Sequence, residues 1–295
     1  MASRSPASRL RERLQAGHLV APACWDALSA RLAHQARFEA ALMSGFAVSG
    51  ARLGMPDTGL ISFAEMADEL RRICQAAPEL LVIGDGDTGY GNPLNVQRTV
   101  REYARAGAAA IMIEDQVAPK KCGHVAGKQV VAFEEARMRV RAAVDAARAG
   151  PEILILARTD ARAVLGFEDA LARCRMFADE GADILFIEAP GSEAEMRAFC
   201  TACADHPTMI TVVEGGSGET LPADCLAALG YRLIVYPITA FSAAVAATVR
   251  ALEALRDGAP AGGEGLSFAS LKSLVGFDEY HALEQRYRIE GTSGS

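Results

Sequence analysis

Eight short apolar runs, separated by longer amphipathic stretches, constrain this chain more than any other feature. The runs are His18–Ala21, Ala40–Met43, Leu80–Ile83, Ala110–Ile113, Ile153–Leu156, Ile184–Ile187, Met209–Val213 and Leu233–Tyr236. They are continuous rather than alternating, as in strands buried on both faces of a parallel sheet. Between them the apolar residues take helical spacing over Ser62–Ala76, Asn95–Ala106, Glu134–Ala149, Phe167–Glu180, Glu193–Ala204 and Pro222–Leu229. Gly107, Gly181 and Gly230 follow three of these stretches. A left-handed C-cap at each would turn the chain into the next strand. Eight strand–helix units in 295 residues predict an α/β fold, a closed (β/α)8 TIM-type barrel. A doubly wound open sheet is the alternative, and no Gly-x-Gly-x-x-Gly follows the first run to support it. The expected organisation is one domain over residues 1–295, with the barrel at about 10–254 and a helical C-terminal extension at 265–290.

Composition narrows the class of protein. Hydrophobic residues make up 51% and charged residues 23%, enough for a sizeable core and unlike a disordered chain. A net charge of -7 argues against a large cationic surface, so no nucleic-acid partner is expected. No apolar run approaches the ~18 residues of a membrane span. The basic, Ser- and Ala-rich N-terminus lacks the apolar core of a secretory signal, and Glu12 argues against a transit peptide. An amphipathic helix on Leu10 and Leu14 is expected there. Seven scattered cysteines point to a reducing compartment, and hence a cytoplasmic protein. Cys200 and Cys203 form a C-x-x-C, but inside a helical pattern with no second Cys or His pair, so they read as core rather than zinc or redox residues.

In a barrel the active site forms at the C-terminal ends of the strands. There this chain carries Ser44-Gly45, Asp85 and Asp87, Glu114-Asp115, Arg158-Thr159-Asp160, Glu188 and Glu214. Any one of these is compatible with a helix cap or a surface charge. Barrel closure would make the set converge, and that points to a functional site. Asp85 and Asp87 share one strand face, so both can address one hard cation, with Glu114 in its outer shell. Cys122 lies between Lys120-Lys121 and Gly123-His124, where neighbouring cations would lower a thiol pKa. The polar, Gly-containing stretch Val117–Gln129, Lys128 included, reads as a mobile lid. Arg158 offers planar, bidentate recognition of a carboxylate.

The motifs Asp85-Gly86-Asp87-Thr88-Gly89-Tyr90-Gly91, Glu114-Asp115-Gln116, Lys120-Lys121-Cys122-Gly123-His124 and Ala157-Arg158-Thr159-Asp160-Ala161, in this order, resemble the isocitrate lyase/phosphoenolpyruvate mutase superfamily. The segments Leu42–Ser49 and Gly54–Asp57 match as well, and the likeness runs from about Leu10 to Ala254. It is nearest to the lyase branch, which acts on 2,3-dimethylmalate and methylisocitrate. The resemblance implies an α/β barrel enzyme with Mg2+ (Mn2+ as the alternative), held by Asp85 and Asp87 with Glu114 linked through water. It implies that Ser44, Gly45, Phe46 and Asp57 line the pocket for the α-keto acid part. Arg158 would hold a carboxylate, and Cys122 would protonate the departing carbon. Gly123 and His124 would position a second carboxylate, with Lys120 and Glu188 completing the polar network. C-terminal helices at Ser267–Arg288 would swap between subunits of a homodimer or homotetramer.

Departures from the family narrow the substrate. Met112 and Leu42 stand where methylisocitrate lyases carry His and Tyr, and Thr211 replaces an Asn on the seventh strand. These changes remove polar partners for a third carboxylate. The expectation is therefore a lyase for a smaller 2-hydroxy dicarboxylate of substituted-malate type, such as 2,3-dimethylmalate. The alternatives are methylisocitrate cleavage, oxaloacetate hydrolysis or decarboxylation, and phosphonopyruvate mutase or hydrolase chemistry. Pro237, where oxaloacetate hydrolases tend to carry Ser, counts against the second. The Cys122–His124 pair counts against the third.

Overall fold

The computed structural model describes residues 4–216, 219–258 and 265–288. The chain divides into two compact units, Met1–Ser242 and Ala243–Ser295. The first is a closed barrel of eight parallel strands in sequential order. They are β1 (Leu19–Cys24), β2 (Ala40–Met43), β3 (Leu81–Asp85), β4 (Ala110–Glu114), β5 (Leu154–Thr159), β6 (Ile184–Ile187), β7 (Thr208–Thr211) and β8 (Leu233–Tyr236). Helix α1 (Pro6–Ala16) precedes β1 and α2 (Ala27–Gln35) follows it; α3 (Gly45–Leu53) and α4 (Phe63–Ala76) follow β2. Then come α5 (Pro93–Ala106), α6 (Phe133–Ala149), α7 (Ala161–Val164), α8 (Phe167–Glu180), α9 (Glu193–Ala202) and α10 (Ala223–Leu229), each between successive strands, with α7 and α8 sharing one connection. Helix α11 (Thr239–Arg256) follows β8 and contains the boundary between the units. The second unit continues with α12 (Phe268–Val275) and α13 (Phe277–Arg286). The C-terminal Gly291–Ser295 tail, expected to fray, lies outside the described residues.

The apolar runs mark all eight strands. β3, β4 and β5 continue past them into Asp85, Glu114 and Arg158-Thr159, because pairing extends to the polar residues at the mouth. Gly107, Gly181 and Gly230 cap their helices at φ 100°, 99° and 119°, the left-handed geometry that glycine adopts without a Cβ penalty. Starts are set by local chemistry too. The Ser62 hydroxyl accepts from Glu65 N at 3.3 Å while the Glu65 carboxylate accepts from Ser62 N at 2.8 Å, a reciprocal cap on α4.

Alternation along the strands makes two apolar layers. Leu81, Ile83, Met112, Leu156 and Phe186 fill the barrel interior, while Val82, Ile111, Ile155 and Leu185 pack outward against the helices. Helix α1 belongs to the interior layer, where Ala7, Leu10 and Leu14 close the floor of the barrel. Ser5 and Ser8 hydroxyls and Arg11 Nη1 converge on Glu152, ahead of β5, and fix that helix in place. These hydrogen bonds, Ser5's foremost, pull the Glu152 carboxyl down to about 2. All seven cysteines are free thiols, with Cys200 and Cys203 buried on and beside α9 as core residues. Among the described residues no helix is long and apolar enough to cross a membrane.

Leu10 is fully buried in this floor. Leu10→Ala should therefore lower the unfolding free energy by about 2–5 kcal/mol in chemical denaturation. A loss under about 0.5 kcal/mol, the range of a surface substitution, would show that α1 is not part of the core.

Candidate active site at the mouth of the barrel

The carboxylate pair sits where β3 leaves the sheet. Asp85 ends the strand, and the turn after it is pinned to β4 by Gly86 N donating to Met112 O at 2.9 Å and Glu114 N donating to Asp87 O at 2.9 Å. Asp87 takes a left-handed φ of 48°, unusual for a residue with a Cβ. Asp85 Oδ1 accepts from Asp87 N and Oδ2 from Gly45 N, both at 3.1 Å. Gly45 has to be glycine, since a Cβ there would lie 2.6 Å from Asp85 Oδ2. Behind the pair, Tyr103 fills the space beside Gly84 and donates its hydroxyl to Asp85 O at 2.9 Å. Burial, with the charge of Asp87 next, pushes the Asp85 carboxyl up to about 6.

Lys120 reaches this pair from the loop after β4. Its ammonium lies 2.6 Å from Asp57 Oδ1 and 2.8 Å from Asp87 Oδ1, all three groups buried. Burial works to strip the Lys120 proton, but Asp87, Asp85, Asp57 and Glu114 outweigh it and hold the ammonium charged. Burial also lifts the Asp57 carboxyl above its ordinary value, against the pull of Lys120.

Arg158, near the end of β5, joins the other carboxylates. Its Nε and Nη2 grip Asp160 at 2.9 and 3.0 Å, Nη1 lies 3.3 Å from Glu114 Oε2, and Nη2 lies 3.2 Å from Glu188 Oε2. The guanidinium also stands 5.7 Å over the Phe186 ring. Glu188 is buried, which opposes its charge, yet Arg158 and His124 draw it down to about 2. His124 Nε2 is 3.2 Å from Glu188 Oε1, and the Thr211 hydroxyl donates to the same oxygen at 3.1 Å. Glu114 goes the other way, since burial exceeds the help from Arg158 and raises its carboxyl well above the usual range.

The stretch expected to be a lid lies shut over the mouth. Its base is a two-stranded clasp, a Gln116–Val130 bridge flanked by Val117 N donating to Gln129 O and Val131 N to Asp115 O, both at 2.9 Å. The Gln116 amide holds Lys121 from both sides, donating to its carbonyl at 2.8 Å and accepting from its N–H at 3.0 Å. Gly123 presses onto the charge network; a Cβ there would lie 2.5 Å from Arg158 Nη2 and 2.7 Å from Glu188 Oε2. The lowered thiol pKa expected for Cys122 is not what the fold produces. Burial under the lid pushes the thiol up, outweighing the backbone hydrogen bond from His124 and the charges of Arg158 and Lys120.

The structure thus links Asp57, Asp85, Asp87, Glu114, Lys120, Gly123, His124, Arg158, Glu188 and Thr211 in one network, with Ser44 and Gly45 joined through the Gly45–Asp85 bond. The Phe46 ring turns away, 41% exposed against Phe241. Glu214 stays outside, accepting from the Thr239 hydroxyl at 3.0 Å. Sequence reasoning missed Arg139 on α6 and Arg173 on α8. Arg139 Nη1 donates to Glu114 O and Gln116 O at 2.7 and 2.9 Å; Arg173 Nη1 donates to Asp115 Oδ2 and Val131 O at 3.2 and 3.0 Å. The signal was a charge on the apolar stripe of each helix, Ala136–Arg139–Val140–Ala143 and Ala170–Arg173–Cys174–Phe177.

Among the described residues no three His, Cys, Asp or Glu side chains close into a chelating cluster. The donor set nevertheless fits magnesium, which takes one or two carboxylates and fills the rest with waters and substrate oxygens. Asp85 and Asp87 supply the two carboxylates. Glu114 Oε1 is buried with no hydrogen-bond partner, and Lys120 is the only cation in contact with Asp57 and Asp87 among the described residues. Buried negative charge in this excess calls for a further cation.

The sequence matches the family described as Phosphoenolpyruvate phosphomutase over residues 10–256. It is 39% identical to 2,3-dimethylmalate lyase of Eubacterium barkeri over 95% of this chain and 98% of that protein. The fold superposes on oxaloacetate acetylhydrolase bound to 3,3-difluorooxalacetate with a TM-score of 0.93, at 33% identity, covering 98% and 99% of the two chains. A phosphonopyruvate hydrolase in complex with oxalate and Mg++ gives a TM-score of 0.84 at 30% identity, covering 96% and 99%. The chain belongs to this family and is a lyase-type enzyme of the isocitrate lyase/phosphoenolpyruvate mutase superfamily.

The upward shift at Cys122 carries a sign that kinetics can read. A raised pKa keeps the thiol protonated, so the side chain is an acid at neutral pH and becomes a thiolate only under alkaline conditions. Peptide-resolved alkylation with iodoacetamide should show Cys122 titrating above the ordinary thiol value of about 8.5. A midpoint below that value would show an activated thiolate instead.

Proposed function

We propose that the protein is a Mg2+-dependent carbon–carbon lyase. Its substrate is a 2-hydroxy dicarboxylate of substituted-malate type, for example 2,3-dimethylmalate, and its products are an α-keto acid and a carboxylate. The observation that carries this reading is a protonated, half-buried thiol on a shut lid whose next residue rests against Arg158 and Glu188, in the same mouth as the Asp85–Asp87 pair.

Asp85 and Asp87 would hold Mg2+, with Glu114 in its outer shell through water. When bound, Mg2+ supplies Lewis-acid polarisation of the keto-acid oxygens. Ser44, Gly45 and the backbone of Phe46 bind that end of the substrate, beside Asp57. Arg158 binds a carboxylate and stabilises the negative charge that appears there as the C2–C3 bond breaks. The 2-hydroxyl gives up its proton to a buried carboxylate of the mouth, and its O–H electron pair becomes the second bond of the keto C=O. The electron pair of the C2–C3 bond passes into the departing fragment, which is best written as an aci-carboxylate with its charge on oxygen. Cys122 then gives its proton to the carbon, the S–H bond breaking as the C–H bond forms. Gly123, His124 and Glu188 position the second carboxylate, with Thr211 steadying Glu188, and Lys120 holds the acid network neutral enough to stay out of water. The closed lid excludes solvent that would otherwise quench the carbanion.

The substituted-malate assignment draws support from the relative cleaving 2,3-dimethylmalate and from the barrel interior. Leu42 and Met112 are buried among apolar side chains, so neither position offers a partner to a third carboxylate. We also assign α12 and α13 to exchange between subunits of a homodimer or homotetramer, since Leu271, Val275, Phe277 and Leu283 are exposed apolar groups that a second subunit would cover. Seven free thiols support a cytoplasmic setting.

A substrate panel decides the reaction. Keto acid should be released from 2,3-dimethylmalate in the presence of Mg2+, and release should stop with a chelator. Faster turnover of methylisocitrate, oxaloacetate or phosphonopyruvate would replace the assignment. Cys122→Ser should lower kcat by about 10²–10⁴-fold, the usual contribution of a positioned general acid, while calorimetry shows the dicarboxylate still binding. Full activity in that variant would remove Cys122 from the chemistry.

A further inference from the structure

Lys128 is a buried cation that the reaction does not use. It lies on the returning limb of the lid, and its side chain is only 4% exposed. Its ammonium donates to the carbonyl of Gly123, on the opposite limb, and to Asp160 Oδ1 at 2.7 Å. Asp160 is itself fully buried and fixed from two other directions, by the bidentate grip of Arg158 and by its own N–H donating to Asp115 Oδ1 at 2.9 Å. One side chain therefore ties together the tip of the lid and the barrel residue that orients Arg158. Taking an ammonium out of water is costly unless it finds such partners, and of the two only Asp160 lies outside the lid, so that contact is the one that joins lid to barrel. The carbonyl it holds belongs to the residue directly after Cys122.

We propose that Lys128 is a positioning residue, a latch that clamps the shut lid to Asp160 and so sets the Cys122 thiol over the site. Its bearing on turnover rests on the reading of Cys122 as proton donor; its bearing on lid closure does not. Lys128 touches Gly123 and Asp160 rather than the reacting atoms, so it acts through Cys122 and Arg158.

The closing experiment compares the whole enzyme with Lys128→Gln, whose side chain is too short to span both acceptors, and Lys128→Arg, which keeps donors at that reach. Iodoacetamide labelling is read by peptide mass spectrometry as the Cys122 to Cys225 ratio, because exposed Cys225 is an internal reference. The ratio should rise about 10-fold or more in Lys128→Gln and return most of the way in Lys128→Arg. On 2,3-dimethylmalate, kcat should fall about 10–100-fold with KM within about 3-fold, since a misplacement near 1 Å costs rate rather than binding. An unchanged labelling ratio in a folded Lys128→Gln overturns the latch, and an unchanged kcat beside a raised ratio overturns its bearing on turnover. If Lys128→Gln fails to fold, Lys128→Met replaces it, and collapse of both assigns Lys128 to folding and overturns the proposal. Loss of turnover by the unmodified enzyme on every acid would end the lyase reading while leaving the labelling ratio to judge the latch.

Discussion

The guanidinium of Arg158 sits out of water with Glu114, Asp160 and Glu188 around it, and the rest of the mouth is arranged to make that possible. A buried ion is tolerated only when its charge is matched and its hydrogen-bonding capacity met. Arg158 is buried, which alone would weaken its hold on the proton, yet its carboxylates bind it more firmly than water would. Each carboxylate has further work. Asp160 connects to Lys128 and, through its N–H, to Asp115, Glu188 connects to His124 and Thr211, and Glu114 keeps a second oxygen, Oε1, buried without a hydrogen-bond partner. Four strands and the lid therefore share one electrostatic arrangement. A change at one member is felt at the others because each would leave an unpaired charge behind.

This arrangement is braced from the helical layer. Arg139 and Arg173 cross from α6 and α8 to satisfy backbone carbonyls at the base of the lid and the carboxylate of Asp115. The lid is thus rooted on the outer helices, while its tip rests on strand-end charges. That division separates what must stay still from what has to move. The clasp at Gln116 and Val130 keeps the two limbs in register, and the contacts that close the mouth lie beyond it.

Much of this was legible in the residues because periodicity and polarity carry separate information. Continuous apolar runs marked β2, β6 and β8 to the residue, since those strands end where apolarity ends. The ends of β3, β4 and β5 overran their runs because backbone pairing ignores side-chain polarity. Polar residues at successive strand ends announced the site, and closure of the barrel brought most of them together. Glu214 carried the same signal but faces Thr239, since a strand-end position does not fix a side-chain direction. Helices α2, α3, α7 and α11 were not among the helical stretches read, while α10, only seven residues long, was, so length alone does not decide which helices show in the sequence. The Cys122 environment was misjudged for a general reason. Sequence shows which cations are neighbours along the chain but not how much water the fold removes, and here desolvation prevails.

Helix α1 has one more effect. By filling the bottom of the barrel, Ala7, Leu10 and Leu14 close the end opposite the charged mouth. A molecule split inside a vessel closed at that end yields two pieces that depart by the path the parent took. In the proposed reaction, the fragment nearest the flap would leave before the one beside the aspartates. On that reading the order of departure is set by a helix far from the chemistry, and the deeper fragment added alone would compete directly with the parent acid.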